Sequence, residues 1–178
     1  MHKKVIILSA SPRKNGNSDL LCNEFYKGAM DSGHDVEKIF LADKHIEYCR
    51  GCGICNKTNR CIIDDDMAAI LDKLLSADII VMASPVYFYT INGQMKTLID
   101  RIVPQYTNLR EKDFYFIITA ADSAKANMQR TIECFRGLLD CLEKPKEKGV
   151  IYGIGLWEKG DVMQSNLLSE AYTMGKNS

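Results

Sequence analysis

The sequence predicts an α/β fold in three layers, a five-stranded parallel sheet in the order 2-1-3-4-5 between helices on both faces. Three observations carry that expectation. Short apolar runs alternate along the chain with segments of helical periodicity, and the right-handed crossovers of such units make the strands parallel. The run Asp78–Met82 (DIIVM) is almost wholly apolar, as a strand covered on both faces should be. The chain has 178 residues, 46% apolar and 26% charged, which is ordinary for a globular protein. A single domain over residues 1–178 is therefore expected, burying about 70% of its unfolded surface.

The elements follow in order. Lys4–Leu8 reads as the first strand, bounded by the polar run SASPRKNGNS. A helix is predicted over Ser18–Ser32, with Leu20, Leu21, Phe25 and Ala29 at helical spacing and Gly33 as a left-handed stop. Val36–Leu41 is the second strand. A cysteine-rich loop at residues 49–61 then leads to Asp64, Asp65 and Asp66, read as a capping run at the positive end of an amphipathic helix, with metal ligation as the alternative. That helix carries Met67, Ile70, Leu71, Leu74 and Leu75. Asp78–Met82 is the third strand, and the next helix places Ile91, Met95, Leu98, Ile99 and Ile102 on one side before Pro104. DFYFIIT (113–119) is the fourth strand, followed by a long helix from Ala126 to Glu143. GVIYGIGL (149–156) is the fifth, and a weaker helix near Ser165–Met174 ends the chain.

Charge excludes some partners. Net charge is zero and no basic stripe is present, so a nucleic-acid surface is not expected. The apolar start, Val5–Leu8, is too short for a signal-peptide core or a membrane span. The expected compartment is the reducing cytoplasm, where clustered cysteines more often bind metal or react than form structural disulfides.

In a sheet of this order the ligand crevice lies at the carboxyl ends of strands one and three. That nominates residues 9–18 and 84–92. The first stretch holds Ser9, Ser11, Ser18, Asn15, Asn17, one glycine and Arg13 at a helix start, where exposed N–H groups and the helix dipole favour an anion such as phosphate. It is neither a Walker loop nor GxGxxG, so neither an ATPase nor a dinucleotide-binding Rossmann domain is supported. A plain helix-capping turn has the same composition. The second stretch, SPVYFYT, places Tyr87, Phe88 and Tyr89 in succession, which cannot all enter one core. A flat heteroaromatic ligand or a subunit contact would suit them, as would ordinary packing with exposed tyrosines.

Cys49, Cys52, Cys55 and Cys61 have the spacing C-x2-C-x2-C-x5-C, with Gly51 and Gly53 between them. Three cysteines at every third position let a short loop wrap one compact centre, as in bacterial ferredoxins. Zinc, transient disulfides and free thiols remain open for this set. Cys22, Cys134 and Cys141 read as core filler. His2, His34 and His45 share no spacing and are expected at the surface, and Trp157 in a packed loop.

The motifs SPRKNGNS, SPVY followed by an aromatic, and QMKTLIDR (94–101) resemble those of the NADPH-dependent FMN reductases and the flavodoxin-like proteins around them. The cysteine motif with the DDM after it is similar to that of the subgroup called iron–sulfur flavoproteins. The resemblance covers nearly the whole chain and is strongest over residues 6–101. It implies a flavodoxin-like fold and FMN, with the phosphate held by Ser9, Ser11, Arg13, Asn17 and Ser18. The isoalloxazine would rest against Pro85, Val86, Tyr87 and Phe88, with Thr119–Ser123 closing the other side. A [4Fe-4S] cluster would take Cys49, Cys52, Cys55 and Cys61 as ligands. It further implies NAD(P)H as electron donor, a small-molecule acceptor or ferredoxin as partner, and a homodimer or homotetramer. The cofactor carries such chemistry, so no side chain is singled out as catalytic. Two other readings stand beside it: a cluster-free NAD(P)H:quinone or flavin reductase, and a non-enzymatic FMN carrier or redox sensor. A dedicated carrier would be more acidic than this neutral chain.

Overall fold

A computed structural model describes residues 2–178. Its elements are β1 (Lys4–Ser9), α1 (Asn17–Asp31), β2 (Asp35–Phe40), α2 (Cys55–Thr58), α3 (Met67–Ser76), β3 (Ile79–Tyr87), β4 (Thr90–Ile91), α4 (Gly93–Asp100), β5 (Asp113–Thr119), α5 (Gln129–Leu139), β6 (Lys146–Gly153) and α6 (Leu167–Lys176). The long strands are parallel and ordered β2-β1-β3-β5-β6, the order expected from sequence, and the short β4 adds a sixth strand antiparallel to the end of β3.

Alternation along the strands splits the core in two. Ile6, Leu8, Ile80, Met82, Phe114, Phe116 and Ile118 face one layer, packed with α3, α4 and α5 residues such as Leu74, Leu98 and Phe135. The Phe116 and Phe135 rings stack at 4.7 Å. Val5, Ile7, Val81, Ala83, Ile117 and Ile151 face the other, against α1 and Ala171 of α6. There α1 and α6 cross at backbone contact: a Cβ on Gly28 would lie 2.0 Å from the Tyr172 carbonyl oxygen, and one on Gly175 would lie 2.1 Å from that of Phe25. Among the described residues no helix is long and apolar enough to cross a membrane.

Several expectations are corrected. β3 continues five residues past Met82, so Ser84–Tyr87 are strand rather than loop; pairing of Ser84 and Pro85 with Ile118 and Thr119 holds them extended. The helix placed over 126–143 is α5 with a 3-10 turn, Lys125–Met128, before it. β6 begins at Lys146, because an edge strand tolerates the charged run Lys146–Lys148. Cys22 is buried as expected, but Cys134 is half-buried at the edge of the core and Cys141, just past the end of α5, is exposed. His34 is buried, accepting from the Lys3 amide through Nδ1 (3.3 Å) with Nε2 beside the Ser178 carbonyl (3.2 Å). Trp157 is 72% exposed rather than packed.

Candidate functional site

The loop after β1 is braced from beneath by a buried carboxylate. Asp19 accepts from Ser9 Oγ (2.9 Å), Lys38 Nζ (2.8 Å) and the Asn15 amide (2.9 Å). Burial opposes its charge, but Lys38 and the two other donors outweigh it and hold its pKa below the ordinary carboxylate value. Ser9 is therefore fully buried and committed to Asp19. Asn17 is also committed: its Nδ2 donates to the Glu158 carbonyl (2.8 Å), and its Oδ1 accepts from the Gly160 and Val162 amides (3.0 and 3.3 Å). Ser11 closes the turn, donating to the Arg13 carbonyl (2.9 Å) and accepting from the Arg13 amide (3.1 Å).

What remains is a set of donors without protein partners. The α1 N-cap is Gly16, which has no side chain to cap with, and among the described residues nothing accepts from the Asn17, Ser18 or Asp19 amides. The Arg13 guanidinium is exposed, and neither it nor the Ser18 hydroxyl has a side-chain partner among the described residues. The buried acid beneath the loop, Asp19, is already neutralised by Lys38. The donor set therefore fits an anion at the helix start.

β3 and β4 form a tight hairpin, with Val86 opposite Ile91 and Tyr87 opposite Thr90. Its two turn residues, Phe88 (φ 51°) and Tyr89 (φ 60°), both sit in the left-handed region, which usually takes Asn-Gly and costs a residue with a side chain roughly 1–2 kcal/mol. Pro85 is buried, Val86 half-buried, Tyr87 43% exposed and Phe88 100% exposed. A strained turn that displays a whole phenyl ring to water is held in place by its surroundings. Asn92 is the holder: its Oδ1 caps α4 at the Met95 amide (3.1 Å), its amide donates to Ser84 Oγ (3.0 Å), and its Nδ2 donates to the Ala10 carbonyl (2.5 Å). The Ala10 amide donates to the Ala83 carbonyl (2.9 Å). The anion loop and the aromatic hairpin are thus clasped together at the carboxyl ends of β1 and β3. Behind them, Asp122 accepts from the Ala124 amide and Asn127 Nδ2 (2.7 Å each), which with Tyr89 lower its pKa.

The cysteine segment is tied at both ends. Asp65 Oδ2 accepts from the Glu47 amide (2.9 Å), and Asp66 Oδ2 from the His45 amide (2.7 Å). Arg101 Nη1 donates to Asp65 Oδ2 (2.7 Å) and to the Glu47 carbonyl (2.6 Å), and Nη2 to Asp65 Oδ1 (3.0 Å). Both side chains are shut from water, at 1% and 0% exposure. Burial penalises both charges, yet their mutual hydrogen bonding lowers Asp65 and raises Arg101, with Cys61 adding to the rise. Asp65 is thus a buried ion-pair partner as well as a helix cap; its Oδ1 also accepts from the Met67 amide (3.1 Å). Neither it nor Arg101 was singled out as functional from sequence. An arginine next to Leu98, Ile99 and Ile102 on an apolar helix face was the available signal.

Between these ties Cys49, Cys52, Cys55 and Cys61 line one cavity of about 250 Å³ with Ile62, Ile63 and Val103. Gly51 (φ 62°) and Gly53 (φ 70°) supply the left-handed turns that wrap it. Among the described residues no three His, Cys, Asp or Glu side chains close on a single ion. Zinc would need four sulfurs about 2.3 Å from one point. Four thiols lining one cavity are the donor chemistry that zinc or an iron–sulfur cluster uses.

A parallel sheet with unpartnered helix-start donors at its switch point defines a flavodoxin-like α/β protein. The chain belongs to the NADPH-dependent FMN reductase family, whose model matches residues 3–143. It is 44% identical over 101 residues to an iron–sulfur flavoprotein of Methanocaldococcus jannaschii, a match covering 57% of this chain and 52% of that protein. The chain spans about half the length of the iron–sulfur flavoproteins it matches first. A Bacillus subtilis protein provisionally named an NAD(P)H-dependent FMN-containing oxidoreductase is 25% identical over 98% of both chains. An NAD(P)H:quinone oxidoreductase from Methanothermobacter marburgensis superposes with a TM-score of 0.78 over 99% of both chains at 17% identity, a likeness of fold.

Proposed function

We propose that this chain is an FMN-dependent oxidoreductase supplied by NAD(P)H, whose four-cysteine loop holds an iron–sulfur cluster and whose electrons go to a small acceptor or a ferredoxin. The observation that carries it is the Asn92 clasp, which sets a row of unpartnered donors beside an aromatic hairpin at the switch point. In this reading Arg13, Ser18 and the N–H groups of Asn17, Ser18 and Asp19 bind the phosphate, with Ser11 shaping the turn. Ser9 and Asn17 act from behind, through Asp19 and the Glu158–Val162 segment. Pro85 and Val86 form the floor for the ring, and Tyr87 and Phe88 cover it from water. Bound FMN would supply exchange between two-electron and one-electron chemistry. Cys49, Cys52, Cys55 and Cys61 would hold the cluster, which supplies one-electron transfer.

The full exposure of Phe88 supports a homodimer or homotetramer in which a second copy covers the hairpin. The reducing cytoplasm suits a cluster of free thiols. A cluster-free reductase is the second reading, favoured by the full-length similarity to the Bacillus subtilis protein. An absorption spectrum with iron, sulfide and zinc analysis on protein purified without oxygen separates the two. About four irons and four sulfides per chain support the cluster; flavin bands without iron support the second reading. Absence of NADH or NADPH turnover, with FMN bound and an acceptor present, would sink the reductase in both forms.

A further inference from the structure

Arg101 has one polar atom that its ion pair does not explain. Nη1 and Nη2 both donate to Asp65, and Nη1 also to the Glu47 carbonyl, but Nε is buried and without any partner. An unmet guanidinium N–H is costly, and such groups in a folded protein call for a missing acceptor. The neighbouring acceptor is sulfur. Arg101 and Cys61 line the same cavity of about 320 Å³, and of the four cysteines that share the 250 Å³ cavity Cys61 alone lines both. Cys61 is therefore the wall between the buried arginine and the cysteine cavity.

We infer that Arg101 is a positioning residue for the cluster, its Nε–H donating a hydrogen bond to the sulfur of Cys61 when that sulfur is an iron ligand. The inference rests on the cluster reading above. A thiolate ligand carries more negative charge than a thiol and is the stronger acceptor, so the bond is complete only in the loaded protein. The same bond favours the reduced cluster, which holds one more electron, and so makes the midpoint potential less negative. Asp65 has a part in this: by binding both terminal nitrogens it fixes the guanidinium plane and makes no claim on Nε.

The test uses the full chain loaded anaerobically with iron and sulfide. A wild-type chain that takes up no iron overturns both the cluster reading and this one. Given loading, pulsed EPR of the reduced protein labelled with 15Nε-arginine is expected to show a weak nitrogen coupling. Arg50 and Arg60 also line the two cavities, so the coupling is expected to persist in the Arg50→Lys/Arg60→Lys double variant. Arg101→Lys keeps the charge for Asp65 but lacks Nε, so it should lose the coupling and shift the midpoint potential to a more negative value. Iron uptake with no coupling in wild type, a coupling lost in the double variant, or one kept in Arg101→Lys overturns the arginine inference alone. Should Arg101→Lys fail to fold or load, the wild type and the double variant still decide.

Discussion

The two halves of the site are built in opposite ways. The anion loop and aromatic hairpin are braced before any ligand arrives: Asp19, Asn17, Ser84 and Asn92 tie them to one another and to the sheet. The cysteine segment is pinned only at its ends, by Asp65, Asp66 and Arg101. Between Tyr48 and Ile63, Gln105 Nε2 to the Asn59 carbonyl (2.8 Å) is the one hydrogen bond to the rest of the chain among the described residues. A flavin that must come and go, or be held at a set angle, is served by a preformed cradle. A metal centre can complete its own loop, because binding free energy there is also folding free energy.

The largest break in that contrast is expected at Asp65. Asp65→Asn leaves the buried Arg101 without a counter-charge, and removing one partner of a buried pair costs about 3–5 kcal/mol. Denaturant unfolding should show that loss, and limited proteolysis should find residues 48–63 cut faster while the β3–β4 hairpin stays protected. Equal loosening of both regions would mean that the two sites are one cooperative unit. On the other side, Asn92→Ala removes a helix cap and a buried link between the two loops, costing about 2–3 kcal/mol. FMN affinity, read by fluorescence titration, should fall with it while iron uptake is unchanged.

The contrast also explains what could be read from sequence. Strand order was legible because apolar runs such as DIIVM and FYFIIT can be satisfied only by burial on two faces. The loops at the switch point were legible because topology alone nominates them. The roles inside them were not. Nothing in SASPRKNGNSD tells that Ser9 turns to Asp19, because that choice depends on Lys38 arriving from the neighbouring strand β2. Nor does SPVYFYT announce a hairpin, since Phe-Tyr is a poor pair for a left-handed turn; strand pairing and the Asn92 clasp override local preference. The Asp65–Arg101 pair joins residues that the chain separates by two helices and the β3–β4 hairpin. DDD therefore looked like a cap or a set of metal ligands, not one half of a buried ion pair.

Phe88 separates stability from function within the preformed half. Phe88→Gly relieves a left-handed φ and removes no buried contact, so the apo chain should gain about 0.5–1 kcal/mol. FMN affinity, or self-association by ultracentrifugation, should weaken in the same variant. A gain in stability with neither loss would mean that the exposed ring serves no partner.

The smallest expected effect is a shared response to acid. Asp19 and Asp65 both have pKa values below the ordinary carboxylate value, each because its cation and hydrogen-bond donors outweigh its burial. The unfolded chain therefore binds more protons than the folded one as pH falls through about 4, and stability rises with pH across that range. The contribution is fully present above the unfolded value and is lost progressively as pH drops toward the folded values. Just below pH 4 only part of it is gone, so the change is a fraction of that produced by deleting either group. Urea unfolding at pH 7 and in steps down to pH 3 should show this slope, and Asp19→Asn and Asp65→Asn should each flatten it. If only Asp19→Asn did so, the acid response would belong to the preformed cradle alone.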